Sequence, residues 1–164
     1  LAPLRAELAA ERHGQRFRWI DPALYHLTLR FFGSLAPDVA AGIRSIIEPI
    51  AATESRFACR AGAPLALPNA RFPNVVALPI ESLGRLERLA TACNDALAPQ
   101  FGAPDKPFRA HLSVIRCQRG AHAGALAVSL SYPFALSSLG LYESTLLADG
   151  PRYTPLFECG FGAL

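Results

Sequence analysis

The chain has 164 residues, about one domain at roughly 100–200 residues per domain, and enough to bury a core without disulfide or metal staples. Hydrophobic residues make up 51% and charged residues 18%, which excludes a disordered chain, and Arg, Glu or Pro breaks every apolar run short of the roughly 18 residues of a membrane span. The net charge of +3 is too mild to argue by itself for long nucleic acid.

Leu1, Leu4 and Leu8 recur at helical spacing up to Gly14, so residues 2–13 read as a helix. Residues 17–20 form a short strand candidate, punctuated by Asp21-Pro22. Residues 25–32 (YHLTLRFF) read as the clearest strand of the first half. Pro37 fits a first helical position. Val39, Ile43, Ile46, Ile47 and Ile50 supply the apolar stripe behind it. Strands are expected over 57–61 and 74–80, on either side of a Pro-rich loop, 64–73. Ser82 fits an N-cap, and Leu83, Leu86, Leu89, Ala90, Cys93 and Leu97 follow at helical spacing. Residues 109–117 (RAHLSVIRC) read as the second clear strand. Further strands are expected over 128–131, 134–143 and 153–157. Helices mixed with strand pairs predict an α+β fold with antiparallel sheets. Neither G-x-G-x-x-G nor a P-loop is present, so Rossmann and P-loop chemistry have no support.

Cys59, Cys93, Cys117 and Cys159 lack C-x-x-C spacing, so buried thiols in a reducing, cytoplasmic setting are expected, with no zinc site. Fifteen of the sixteen basic residues are Arg. That bias fits phosphate recognition by guanidinium forks, and equally a GC-rich coding sequence. The chain contains no Met, even at position 1, so it is expected to start inside a longer gene product or to have been trimmed. No charged segment followed by an apolar one leads the chain, so no secretory signal is expected.

Two segments repeat one pattern: His26-Leu27-Thr28-Leu29 and His111-Leu112-Ser113-Val114. The composition predicts about 0.1 copies of His-apolar-hydroxyl-apolar, and two copies by chance about once in 200. On a strand, residues i and i+2 share a face about 6.5–7 Å apart. His26 then stands beside Thr28, and His111 beside Ser113, with the apolar partners turned to the core. Two imidazoles and two hydroxyls on one volume suit in-line displacement at phosphorus. One imidazole takes a proton from the nucleophile and the other protonates the leaving oxygen. The hydroxyls hold the non-bridging oxygens. No carboxylate or Cys cluster accompanies the motifs, so no metal and no other cofactor is expected. His13 and His122 lack the pattern and read as surface residues.

With these motifs the chain resembles the two-histidine (2H) phosphoesterases. It is most similar to the bacterial and archaeal RNA 2′,3′-cyclic phosphodiesterases, also called 2′-5′ RNA ligases. The likeness runs through RWIDPALYHLTLRFFG (18–33), the Phe72-Pro73 element, PFRAHLSVIR (107–116) and LYESTLLADGPRYTPL (141–156). It implies one catalytic domain over 1–164, built of two pseudo-twofold lobes that each offer a motif to a central cleft. The resemblance also leads one to expect a family N-terminal strand before the first helix, and the sequence as given is expected to lack it. The resemblance further implies hydrolysis of an RNA or nucleotide 2′,3′-cyclic phosphate to a 2′-phosphate by a monomer without metal. His26, Thr28, His111 and Ser113 are the implied catalytic residues, with His26 as acid and His111 as base. Phe31 and Arg116 are the implied nucleotide contacts, and Tyr153 matches a family tyrosine. Strict alternation, however, puts Phe31 and Arg116 on the faces opposite the His residues. Core packing for Phe31 and a surface role for Arg116 therefore stay open, and Arg30, which shares the His26 face, competes as a phosphate contact. Two other functions compete: reversible 2′-5′ RNA ligation, and a catalytically idle nucleotide-binding module.

Overall fold

A computed structural model describes residues 6, 16–36, 38–122, 126, 129–147 and 150–162. The expected helix over 2–13 lies outside these residues but for position 6. The strands are β1 (Phe17–Trp19), β2 (Phe57–Ala61), β3 (Leu65–Leu67), β4 (Val75–Glu81), β5 (His111–Cys117), β6 (Tyr132–Leu136), β7 (Ser138–Leu147) and β8 (Gly150–Gly160). The helices are α1 (Val39–Thr53) and α2 (Arg85–Phe101), with a 3-10 turn at Pro22–Leu24. One sheet has the order β1-β5-β4-β2-β6, with β3 also on β4, and β7 and β8 form a separate hairpin. The fold is α+β and its resolved pairings are antiparallel. No helix among the described residues is long and apolar enough to cross a membrane.

Two compact units divide the chain. Unit 1 comprises 1–28, 59–81 and 109–134. Its centre is β4 against β5, backed by Val76, Leu78, Ile80, Val114 and Ile115, all buried. β2 buries alternate residues, Phe57, Cys59 and Ala61, as a strand with one covered face does. The loop expected over 64–73 contains β3, because its Leu65-Ala66-Leu67 run finds ladder partners in Ala77, Val76 and Val75.

Unit 2 comprises 29–58, 82–108 and 135–164. α1 buries Ile43, Ile47 and Ala51, and α2 buries Leu86, Leu89, Ala90, Cys93 and Leu97. Ile43, Ile47, Leu89, Cys93 and Leu97 form one cluster, covered in part by Leu29, Phe32, Leu139, Leu141 and Phe157. Each fully buried Leu or Ile contributes about 1.5–3 kcal/mol. The N-cap of α2 is Gly84 and not Ser82 as expected, because the chain takes a further turn through Leu83 and Gly84 before the helix starts; the Ser82 hydroxyl still accepts the Leu86 N–H at 3.0 Å. Leu83, expected in the buried stripe, instead lies in the turn before the helix with φ 53° and is 97% exposed.

Three expected strands differ. Residues 25–32 form no strand, and a bend stands at Leu29. The bend divides the segment's apolar side chains, and Leu29 and Phe32 join the core of unit 2. The strand expected over 134–143 is split by Ser137 into β6 and β7. Residues 129–131 are not strand, and Val128 lies outside the described residues.

None of the four cysteines forms a disulfide, and Cys59, Cys93 and Cys159 are buried as expected. Burial first, and the negative charge of Glu54 second, push the Cys93 thiol up to about 11. Below the ordinary thiol range both folded and unfolded chains keep this proton. Between about 9 and about 11 the unfolded chain releases it and the folded chain does not. Stability should therefore fall as pH rises through that window. Urea melts at stepped alkaline pH should show a steeper decline for the parent chain than for Cys93→Ala, and parallel curves would contradict the assignment.

Candidate active site

His111 is the first residue of β5 and stands opposite Pro79 of β4, while Ser113 stands opposite Ala77. Next to Ser113 the register slips: Val76 faces Ile115, so Val114 is one residue extra on β5. This is a β-bulge, and it changes which side chains share a face. Cross-strand partners point to the same face of a sheet. Pro79, Ala77 and Val75 alternate along one face of β4, so their partners His111, Ser113 and Arg116 lie together. Strict alternation had placed Arg116 on the other side, and the bulge brings it round. Exposure agrees, because Arg116 is exposed while Val114 and Ile115 are buried.

The other motif sits just beyond β1. Asp21 accepts the Ala23 N–H at 2.9 Å and starts the Pro22–Leu24 turn. The turn closes where the Tyr25 N–H meets the Pro22 carbonyl at 3.1 Å. The Ile20 N–H donates to the Val114 carbonyl at 3.0 Å, which ties this segment to the bulge of β5. His26 and Thr28 are exposed, with Leu27 half-buried between them. The i, i+2 pattern therefore holds over 26–28 although no strand forms there. The His and hydroxyl residues of both motifs fall in unit 1, while Leu29, the last residue of the first motif, is where unit 2 begins.

The two histidines are held in the same way. His26 Nδ1 lies 2.8 Å from the Leu24 carbonyl oxygen, and His111 Nδ1 lies 2.7 Å from that of Arg109. Each acceptor is the residue two positions earlier. A carbonyl oxygen only accepts, so each Nδ1 carries the proton and donates it. In the neutral ring the lone pair then belongs to Nε2. Both imidazoles are thus fixed in one tautomer and one orientation by the local backbone. Ser113 is half-buried beside His111. Among the described residues no group of three or more His, Cys, Asp or Glu is placed to hold a metal ion.

Arg30 lies in unit 2, at the end of α2. Its Nη2 donates to the carbonyls of Phe101 and Gly102, both at 2.9 Å, and its Nη1 to Asn94 Oδ1 at 3.4 Å. Its guanidinium carbon stands 5.2 Å from the Phe32 ring centroid. The chain leaves the helix at Gly102 with φ 69°, a conformation that favours glycine, and this leaves carbonyls for a cation to meet. Arg30→Ala should therefore lower stability by roughly 1–3 kcal/mol in urea melts. A variant that melts like the parent but loses substrate affinity would return Arg30 to a phosphate. Phe31 also belongs to unit 2 and is 80% exposed, so it is not a core residue. Tyr153 is half-buried in β8, opposite Ser144. His122 is exposed as expected, 6.4 Å between ring centroids from Phe72, and His13 lies outside the described residues.

Sequence reasoning missed Arg18. Its register partner on β5 is Arg116, while Phe17 and Trp19 face Cys117 and Ile115. Arg18 thus joins His111, Ser113 and Arg116 on one face. The bulge that creates this set leaves no signal in residue type.

A phosphate-ester hydrolase is the class that these motifs and this α+β fold define. The family model described as LigT like Phosphoesterase matches residues 1–74. An RNA 2′,3′-cyclic phosphodiesterase of Archaeoglobus fulgidus is 31% identical over 145 residues, 84% of this chain and 80% of that protein. One of Aeropyrum pernix is 28% identical over 167 residues, 96% of this chain and 93% of that protein. Among solved structures, a protein of Thermus thermophilus superposes with a TM-score of 0.82 at 26% identity, covering 98% of this chain and 90% of that one. Escherichia coli LigT complexed with 3′-AMP shares the fold, with a TM-score of 0.73 at 20% identity over 99% of this chain and 93% of that one. The chain belongs to the LigT-like 2H phosphoesterase family.

Proposed function

We propose that the chain hydrolyses the 2′,3′-cyclic phosphate at an RNA end to a 2′-phosphate by paired imidazole acid–base catalysis, without a metal. The carrying observation is the matched pair of histidines in one unit, each donating from Nδ1 to the carbonyl two residues before it. The substrate class is that of the Archaeoglobus fulgidus and Aeropyrum pernix relatives. In the proposed step His111 Nε2 takes a proton from water, and the water oxygen bonds to phosphorus. The bond from phosphorus to O3′ breaks in line, and His26 Nε2–H protonates that oxygen. Thr28 and Ser113 donate to the non-bridging oxygens, where charge gathers. Arg116, on the face of His111 and Ser113, and the exposed ring of Phe31 are the proposed nucleotide contacts.

Phosphorus NMR of the product from a 2′,3′-cyclic nucleotide tests both halves of the proposal. A 2′-phosphate formed equally fast with and without EDTA is expected. A 3′-phosphate would overturn the assignment of the leaving oxygen. Loss of activity on chelation, restored by a divalent ion, would overturn the metal-free mechanism.

A further inference from the structure

We propose that Arg18 and Arg116 form a second anion site on the catalytic sheet, which takes the phosphodiester adjacent to the reacting phosphate and makes an oligonucleotide end the preferred substrate. The inference rests on the reading of His26 and His111 as acting at an RNA end. The two arginines are direct cross-strand partners of β1 and β5, which places their Cβ atoms about 4.5–5.5 Å apart on one face. Like charges directly opposite one another destabilise a sheet. Arg85 is paired with Glu54 at 2.7 Å and Arg44 with Glu48 at 3.3 Å, and Arg60 donates to the Ser131 hydroxyl at 2.7 Å. Arg56, Arg109 and Arg152 are exposed and bear their charge in solvent, but of the described arginines Arg18 and Arg116 alone are register partners of one another. Among the described residues the side chains of Arg18 and Arg116 have no hydrogen-bond, ion-pair or ring partner, and only their backbones pair in the ladder. Both are exposed. The β4 residues that share their face, Val75, Ala77 and Pro79, carry no charge.

A polyanion resolves this arrangement. Two guanidinium forks bind the non-bridging oxygens of a phosphodiester and cancel their mutual repulsion. The site is displaced from the chemistry by a definite step. Val75 is two residues from Ala77 on β4, so Arg116 lies one pleat repeat, about 6.5–7 Å, beyond Ser113 along the sheet. Ser113 and His111 serve the reacting phosphate. The arginine pair is set to take the next phosphate of the same strand, which a mononucleotide lacks.

The test compares a 2′,3′-cyclic mononucleotide with a trinucleotide ending in the same cyclic phosphate. Arg18→Ala should lower the trinucleotide-to-mononucleotide ratio of kcat/KM roughly tenfold, mainly through the KM of the trinucleotide. The salt dependence of trinucleotide kcat/KM should become shallower by about 0.7 in log–log slope, one phosphate contact on a single strand. Arg18→Lys, which keeps the charge but not the fork, should retain the slope and recover part of the ratio. A ratio within twofold of the parent's in Arg18→Ala, or equal losses on both substrates, would overturn the site. Should the parent chain turn over neither substrate, the catalytic reading fails by itself. The arginine site is then judged by fluorescence anisotropy of a labelled trinucleotide, whose binding must weaken roughly tenfold in Arg18→Ala for the site to stand.

Discussion

Replacing His111 with alanine should lower kcat/KM by roughly 10²–10⁴-fold, and His26→Ala should cost a comparable factor, the range of acid–base partners. The double variant should lose far less than the product of the two, because each group is of little use without the other. The backbone contacts offer a sharper control. In His111→Asn the side-chain amide can still donate to the Arg109 carbonyl, where Nδ1 now sits at 2.7 Å, but nothing replaces Nε2. That variant should melt like the parent and be as inactive as the alanine variant. The parent's rate should follow a bell in pH, since one ring must be neutral while the other is protonated. Its apparent values belong to the pair, and each single variant should lose one limb of the bell. Full activity in either alanine variant would refute the roles assigned here.

Ile115→Ala should remove roughly 2–5 kcal/mol of stability, and Ile115→Val only about 0.5–1.5 kcal/mol. Ile115 is 0% exposed, and it lies between Trp19 and Val76 across the two flanking strands. Truncation at that point empties space that the β1, β4 and β5 backbones cannot close. Against a typical total of about 5–15 kcal/mol, the alanine change is a large fraction. It should appear as a clear fall in the urea midpoint. A loss below about 0.5 kcal/mol, the range of surface substitutions, would mean that β5 does not depend on this core.

Much of the candidate site was legible because two motifs of one pattern stand out from composition alone. The α+β class, both long helices, and strands at 57–61, near 74–80 and within 109–117 follow from periodicity. What escaped periodicity was set by tertiary partners. Residues 25–32 have strand composition, yet Leu29 and Phe32 gain more by packing on α1 and α2, and Arg30 by binding the carbonyls at the end of α2. β3 was invisible because three residues between prolines carry no period, and only the free edge of β4 makes them a strand. The grouping of Arg116 with His111 was illegible for a different reason. Alternation counts residues evenly, and the bulge at Val114 does not.

That extra residue makes the assignment of sides on β5 a matter of counting. Many small apolar residues could stand at Val114 and leave Arg116 where it is. Removing Val114 would leave a regular ladder in which Ile115 still meets Val76 and Arg116 still meets Val75. Pairing every residue of β5 in turn, with no bulge, would instead set Ile115 opposite Val75 and turn Arg116 to the other side of the sheet. The reach of the proposed catalytic surface therefore depends on one residue standing outside the ladder, and closing that bulge would change it more deeply than changing the side chain there.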